Sequence, residues 1–132
     1  MVTLFTPDGM AKPAANYNHV AIVPRNTELV FLSGQLGVRV DGTVPESAAE
    51  QTDIAFQNIR AGLEASGSGL DRLIRVNAMV TDRRYLADYM AVRDRYVSSP
   101  APTSTLIIVS GFARPEFKVE VEVIAARYDV LE

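Results

Sequence analysis

The chain has 132 residues, of which 48% are hydrophobic, and this size and apolar content are typical of one domain with one core. The absence of cysteine excludes disulfides and thiolate chemistry, and one histidine, His19, is too few for the imidazole clusters that bind transition metals, so we expect no metal. The formal net charge of −3 disfavours nucleic acid as a partner, and without a long uncharged apolar stretch or a cationic leader we expect a cytoplasmic protein with no membrane span.

The N-terminal part of the chain predicts loops and short strands. Residues 1–16 are predicted to be loop. Residues 17–23 and 29–36 are rich in β-forming residues, and the turn-forming residues between them predict an antiparallel pair. Asp41-Gly42 predicts a tight hairpin turn, because this dipeptide tolerates positive φ angles.

Two helices are predicted from apolar residues that recur three to four positions apart. The first covers residues 47–66, with a capping box that starts at Ser47 and an end at Gly67. The second begins after Asp82, a plausible cap, and continues until Pro100 and Pro102 terminate it. Its apolar positions are Tyr85, Leu86, Tyr89, Met90, Val92 and Tyr96.

Three further strands are predicted. Residues 74–81 and 118–128 alternate between apolar and polar positions, and residues 105–109 form a buried apolar run. Strands interrupted by two helices indicate an α+β domain whose helices cover one face of a mixed sheet. The other face carries Val, Ile and Leu residues and would be too apolar to stay uncovered, so we expect the chain to form oligomers through it.

Several motifs resemble those of one family. Tyr17-Asn18-His19 opens the first predicted strand, and residues 32–36 (LSGQL) lie in the second. The segments 102–105 (PTST) and 119–123 (VEVEV) follow at the expected spacing over nearly the whole chain. Each motif alone is weak, but together with the order of the elements they are similar to the Rid (YjgF) superfamily of enamine/imine deaminases.

This resemblance implies a chorismate-mutase-like α+β fold and a homotrimer in which three sheets form a central barrel. It also implies three equivalent clefts between neighbouring subunits, each binding a small metabolite. In the family's deaminases, enamines and imines derived from amino acids are hydrolysed to 2-keto acids and ammonia without a cofactor. Such chemistry is undemanding, because a pocket need only hold an electrophilic imine carbon and aim one water at it.

Three positions match the site of these deaminases: Tyr17, the backbone around Gly34, and Glu120. Tyr17 would hydrogen-bond substrate or water, and the backbone of Ser33 and Gly34 would approach the ligand. Glu120 would position or deprotonate the attacking water. Tyr17 and Glu120 are therefore the expected catalytic residues.

Other positions depart from the deaminase pattern. Ser104 stands where the family has an arginine that binds the substrate carboxylate. A neutral hydroxyl contributes about 1 kcal/mol, whereas each charge-assisted bond of a guanidinium contributes roughly 1.5–3 kcal/mol. Met90 replaces a pocket asparagine, and Leu106 makes the site more apolar. Thr105 is also a candidate to contact the ligand, because a shift of one residue in register decides which side chain faces the cleft.

Each of these residues also has a simpler structural explanation. The position of Glu120 is also typical of an exposed carboxylate on a strand. The position of Tyr17 is also typical of a half-buried aromatic residue whose hydroxyl group reaches water. His19 is expected to be structural, although it could act as a base near neutral pH. Arg114 is expected to be a solvated loop cation rather than a replacement for the missing arginine.

Two hypotheses of function follow. The first is a cofactor-independent hydrolase of small imines or enamines, and the second is a non-catalytic trimer that binds a metabolite in the same cleft. Some family members have been described as endoribonucleases, but the acidic charge balance of this chain ranks that activity last.

Overall fold

The computed structural model describes residues 1–129, in which a mixed sheet carries both helices on one face. Strands β1 (Thr3–Phe5) and β2 (Val20–Ile22) form a separate small antiparallel sheet. The main sheet consists of β3 (Leu29–Phe31), β4 (Gln35–Leu36), β5 (Leu73–Val80), β6 (Thr103–Ile108) and β7 (Val119–Ala126). Its order is β3-β7-β5-β6, with β4 also paired to β7, and only β5 and β6 run parallel. The predicted α+β class is confirmed.

The first helix, α1 (Ala48–Ala65), confirms the prediction for residues 47–66. The Ser47 hydroxyl oxygen accepts a hydrogen bond from the Glu50 N–H at 3.1 Å, which satisfies one of the free donors of the first turn. At the other end Gly67 has φ +74°, the left-handed conformation that glycine adopts without strain.

The core lies between the helices and the sheet. Alternate residues of β5 and β7 are buried there, which confirms the predicted alternation of both strands. Val76, Val80, Val119 and Val121 are completely buried, and they pack with Phe56 of α1. The two strands with the clearest alternation are therefore the centre of the sheet.

The predictions for the N-terminal part were wrong in two respects. Residues 1–16 are not all loop, because β1 lies within them. Residues 17–23 and 29–36 do not pair with each other: β2 pairs with β1, and β3 pairs with β7. Local sequence indicates that a segment is extended, but the partner strand is chosen by long-range packing, here between residues almost one hundred positions apart.

Four further features differ from the predictions. The strand expected at residues 29–36 is interrupted between β3 and β4, and Asp41-Gly42 makes a turn that no strand flanks. The second helix, α2 (Leu86–Arg93), follows a short 3₁₀ turn that Asp82 caps, and it ends well before the prolines. The run at residues 105–109 is partly exposed rather than buried, because β6 is an edge strand and its alternate residues face away from the helices.

Gln51 joins three parts of the chain. Its side chain is completely buried, and its Nε2 donates to the carbonyl oxygens of Pro45 and Glu116, both at 2.9 Å. Its Oε1 accepts from the Lys118 N–H at 2.8 Å. The loop after β4 and the segment that leads into β7 are therefore both attached to α1.

The face of the sheet opposite the helices is open in the single chain. Phe31 is 68% exposed and Leu29 is 44% exposed at one side, and Ile107 is 48% exposed at the other. Asn77 and Glu122 lie between them and hydrogen-bond each other at 3.1 Å. We call this surface, with its apolar borders and polar centre, the open sheet face.

Neither helix of residues 1–129 is long and apolar enough to cross a membrane.

Tyr89 and Arg93 lie one turn apart on the buried side of α2, each 1% exposed. The Tyr89 hydroxyl has no hydrogen-bond partner of ordinary geometry among residues 1–129. Burial raises the pKa of Tyr89, and the nearby charge of Arg93 offsets only part of this effect.

This burial predicts a loss of stability at alkaline pH. The Tyr89 phenol ionises near pH 10 in the unfolded chain but at higher pH in the folded chain, so its contribution is intact below about pH 10. Above that pH the free energy of unfolding falls by up to about 1.4 kcal/mol per pH unit for this group. We expect Tyr89→Phe to make the decline shallower, measured by urea unfolding at a series of pH values from 9 to 12. Identical slopes for the two proteins would contradict this prediction.

Candidate functional site

Gly34 and Glu120 lie directly against each other. Gly34 is in the interruption between β3 and β4, and β4 pairs with β7 so that Leu36 is opposite Glu120. A Cβ atom placed on Gly34 would lie 2.7 Å from Glu120 Oε1, so only glycine lets the backbone approach the carboxylate this closely. The Ser33 carbonyl oxygen beside it accepts from Gln35 Nε2 at 3.0 Å. The structure therefore brings together three of the predicted residues, Ser33, Gly34 and Glu120.

The Glu120 carboxylate is not held by the neighbouring lysine. Lys118 donates its ammonium group to the Glu46 carbonyl oxygen and lies 5.6 Å from the centre of the Tyr85 ring. Glu120 is partly exposed and, within residues 1–129, has no salt bridge. Its carboxylate can therefore accept a hydrogen bond from a water molecule.

Tyr17 is placed next to the beginning of β6. Its neighbour Asn18 donates its backbone N–H to the Pro102 carbonyl oxygen at 3.1 Å and its side-chain amide to the Ala101 carbonyl oxygen at 2.9 Å. The Tyr17 ring meets the ring of His19 edge-on, with 5.5 Å between their centres. Asn18, in the centre of the Tyr-Asn-His motif, therefore attaches the Tyr17 segment to the beginning of β6, a role that the sequence did not indicate.

The parallel pairing of β5 and β6 decides which side chains of β6 share a face. Ser104 lies beside Val76, on the side of the sheet that the helices cover, and Leu106 follows on the same side. Met90 of α2 and Leu106 both pack against the core. Thr105 lies on the open sheet face, where its hydroxyl accepts from Arg75 at 2.7 Å. Ser104 and Thr105 therefore face opposite sides of the sheet.

A single chain does not bring Glu120 close to Ser104. Glu120 of β7 is paired with Met79 of β5, and Met79 is paired with Ile107 of β6. Ser104 is three residues before Ile107, so Glu120 and Ser104 are separated by two strand spacings across the sheet and by three residues along it. With about 4.8 Å between strands and about 3.3 Å per residue, the separation of the two backbones is roughly 14 Å. The predicted site residues thus form two groups, Ser33, Gly34 and Glu120 in one, and Tyr17 and Ser104 in the other.

His19 and Arg114 are engaged in other contacts. His19 Nε2 lies 2.8 Å from the Ala11 carbonyl oxygen, so this nitrogen carries the proton and cannot serve as a free base. Arg114 pairs with Glu116 at 2.8 Å and lies 4.6 Å from the centre of the Phe117 ring. These contacts engage His19 Nε2 and the Arg114 guanidinium within the same chain.

The comparison with protein families matches this chain over most of its length. The family model described as Endoribonuclease L-PSP covers residues 9–127. The chain belongs to this family, the Rid or YjgF family.

Several Rid relatives are at least 30% identical. Protein HMF1 of Saccharomyces cerevisiae is 35% identical over 98% of this chain and 100% of its own length. The RutC family protein YjgH of Escherichia coli is 33% identical over 90% of this chain and 92% of its own. A protein of Dermatophagoides farinae named 2-iminobutanoate/2-iminopropanoate deaminase is 31% identical over 70% and 73%.

Solved Rid structures share the fold. The Rid protein YyfB from Yersinia pestis superposes with a TM-score of 0.83 over 95% of this chain and 98% of its own, at 19% identity, which concerns the fold alone. The structure of Escherichia coli TdcF with bound serine has a TM-score of 0.71 at 25% identity, over 80% of this chain and 85% of its own.

Proposed function

We propose that this Rid protein is a cofactor-independent hydrolase of small enamines and imines, and that it works as a homotrimer with a site at each subunit boundary. One observation carries the proposal: the Gly34 backbone lies against the Glu120 carboxylate, while Tyr17 and Ser104 lie elsewhere on the same chain. These two separated groups can complete one site between subunits, in which one copy supplies Gly34 and Glu120 and the neighbouring copy supplies Tyr17 and Ser104.

The open sheet face supports association between copies. Phe31 and Leu29 are exposed at one border of this face and Ile107 at the other, and they lie on β3 and β6, two edge strands of the sheet. Burying them against a second copy would remove this surface from water at a gain of about 25 cal/mol per Å².

The proposed reaction needs only water and one carboxylate. In an imine, the water oxygen adds to the carbon of the C=N bond while one of its protons passes to Glu120, and the nitrogen takes up a proton. Glu120 then returns its proton to the amine nitrogen of the carbinolamine, and the C–N bond breaks as the hydroxyl group loses its proton to solvent, so that ammonia leaves and a carbonyl forms. An enamine first tautomerises to the imine. Tyr17 would orient the water or the substrate by a hydrogen bond.

The substrate is proposed to lack a carboxylate beside the reacting carbon, or to depend little on it. Ser104 offers one neutral hydroxyl group at the position that the family's deaminases use for an arginine, and Leu106 follows on the same side of β6. The guanidinium of Arg114 is already paired in its own loop. A neutral, mainly apolar imine therefore fits these residues better than an amino-acid-derived one.

A second candidate is a trimer that binds a metabolite without chemistry. The observation that favours it is the apolar character of Met90 and Leu106, which pack against the core and present no acid or base. RNA cleavage, which the family description mentions, is not proposed, because the formal net charge of −3 offers phosphates little attraction.

The test is the rate of ammonia release from imines generated in situ, one with a carboxylate and one without. We expect the protein to accelerate hydrolysis of the carboxylate-free imine more, and Glu120→Gln to reduce the rate at least about 100-fold, since an amide cannot take the proton.

The matched control is Glu122→Gln, which changes the next carboxylate on the same face of β7. It should retain most of the activity. Equal rates for wild type and Glu120→Gln would contradict the proposed hydrolase. Saturable binding of the imine without any acceleration would support the second candidate.

A further inference from the structure

A cavity of about 280 Å³ lies at the end of the sheet far from Glu120. Leu4, Leu73 and Ala126 contribute apolar walls, while two basic and two acidic side chains contribute charge: Arg72, Arg127, Asp71 and Asp129. Ala126 is six residues beyond Glu120 along β7, which is roughly 20 Å. We call this space the N-terminal cavity, because β1 forms one of its sides.

Arg72 is fixed in the wall of this cavity by neighbouring residues. Its guanidinium lies 4.8 Å from the centre of the Tyr128 ring, in a cation–π contact. The Tyr128 hydroxyl donates to Asp71, and a Cβ on Gly69 would lie within contact distance of both. Gly69 therefore leaves room for a Tyr128–Asp71 pair that holds Arg72 in place.

The guanidinium of Arg72 has hydrogen-bonding capacity to spare. Its Nε is buried and has no partner among residues 1–129, and no carboxylate of that part of the chain forms a salt bridge with it. The second guanidinium of the cavity, Arg127, is occupied by Glu28 at 2.5 Å and by the Ser66 carbonyl oxygen at 3.1 Å. Arg72 lines the cavity with a positive charge that no carboxylate among residues 1–129 pairs with, so a ligand carboxylate could pair with its guanidinium.

From these contacts we propose that the N-terminal cavity binds a small apolar amino acid. Arg72 receives the carboxylate, Asp129 receives the ammonium group, and the apolar walls around Leu4 and Leu73 enclose the side chain. The volume lies slightly below the roughly 300–1,000 Å³ of pockets that hold drug-sized ligands, so leucine, which is smaller than such ligands, has room in it. This site is separate from the cleft of the proposed hydrolase.

The experiment is titration with L-leucine, followed by calorimetry and by the methyl NMR signals of Leu4, Leu73 and Ala126. Two probes each lack one charge: 4-methylpentanoate lacks the ammonium group and 3-methylbutylamine lacks the carboxylate. We expect leucine to bind and to shift these methyl signals, and each single-charge probe to bind at least tenfold more weakly.

Substitutions locate the two charges. Arg72→Gln and Asp129→Asn should each raise the dissociation constant of leucine at least tenfold, whereas Arg83→Gln, an exposed arginine far from the cavity, should leave it unchanged. Arg72→Lys keeps the charge and should bind leucine with intermediate affinity. This result would show that the loss in Arg72→Gln comes from the missing charge and not from a folding defect. Absence of leucine binding, equal binding of 4-methylpentanoate, or unchanged affinity in Arg72→Gln would each overturn the proposal.

Discussion

A Gly34→Ala variant should fold normally and lose nearly all of the imine hydrolysis proposed for this protein. The φ angle of Gly34 lies outside the left-handed region, so alanine is compatible with the backbone. The new Cβ would collide with the end of the Glu120 side chain, at 2.7 Å from Oε1, and a flexible side chain can rotate away. The carboxylate would then no longer lie beside the Gly34 backbone, and we expect a rate loss of about 100-fold, similar to that of Glu120→Gln.

The matched control is Gly37→Ala, three residues further along the chain. There the Cβ would lie 2.5 Å from the Cα of Gln51, in the backbone of α1, which cannot rotate away. We expect this variant to lose about 2–3 kcal/mol of stability, whereas Gly34→Ala should stay within about 0.5 kcal/mol of wild type. Thermal unfolding and ammonia release, measured on both variants, separate the two effects. A strongly destabilised Gly34→Ala, or one with full activity, would contradict the role given to this glycine.

Phe31→Glu should prevent assembly of the protein while leaving the fold of each chain intact. Phe31 is 68% exposed in the single chain, so a glutamate there costs the protomer little. In an interface formed by the open sheet face the same carboxylate would be buried without a partner, at a cost of several kcal/mol. Sedimentation velocity at micromolar concentration should show a trimer for wild type and a monomer for this variant.

Val40→Glu is the control for that experiment. Val40 is fully exposed, but it lies in the turn beside Asp41 and outside the sheet. This variant should sediment like wild type. A monomeric wild type, or a Phe31→Glu variant that remains trimeric, would exclude the proposed interface.

Elements defined by local patterns could be predicted from the sequence. The first helix has its periodic apolar residues, a Ser47 cap and a terminating Gly67, and all three act within a few residues of one another. The alternation of β7 likewise predicted which residues face the core. The order of strands and helices then indicated the α+β class, and the resemblance, whose motifs are spread over nearly the whole chain, identified the family.

Features that depend on distant partners could not be predicted. The pairing of β3 with β7 and the interruption that places Gly34 beside Glu120 involve residues far apart in sequence. Ser104 and Thr105 look equivalent until the register of β6 against β5 is known. The burial of Arg93 was not predicted either, because an arginine in a helix is usually exposed on the surface.

The buried amide of Gln51 has a consequence for how substrate preference could change in this family. Its hydrogen bonds hold the loop after β4 and the segment before β7 against one helix. The distance between Gly34 and Glu120 therefore has little freedom to increase. The strand that carries Ser104 lies at an edge of the sheet, and side-chain hydrogen bonds of Thr103 and Thr105 join it to its neighbour β5. Divergent members should therefore adapt to new metabolites by exchanging side chains along that edge, while the wall proposed to aim the water stays constant.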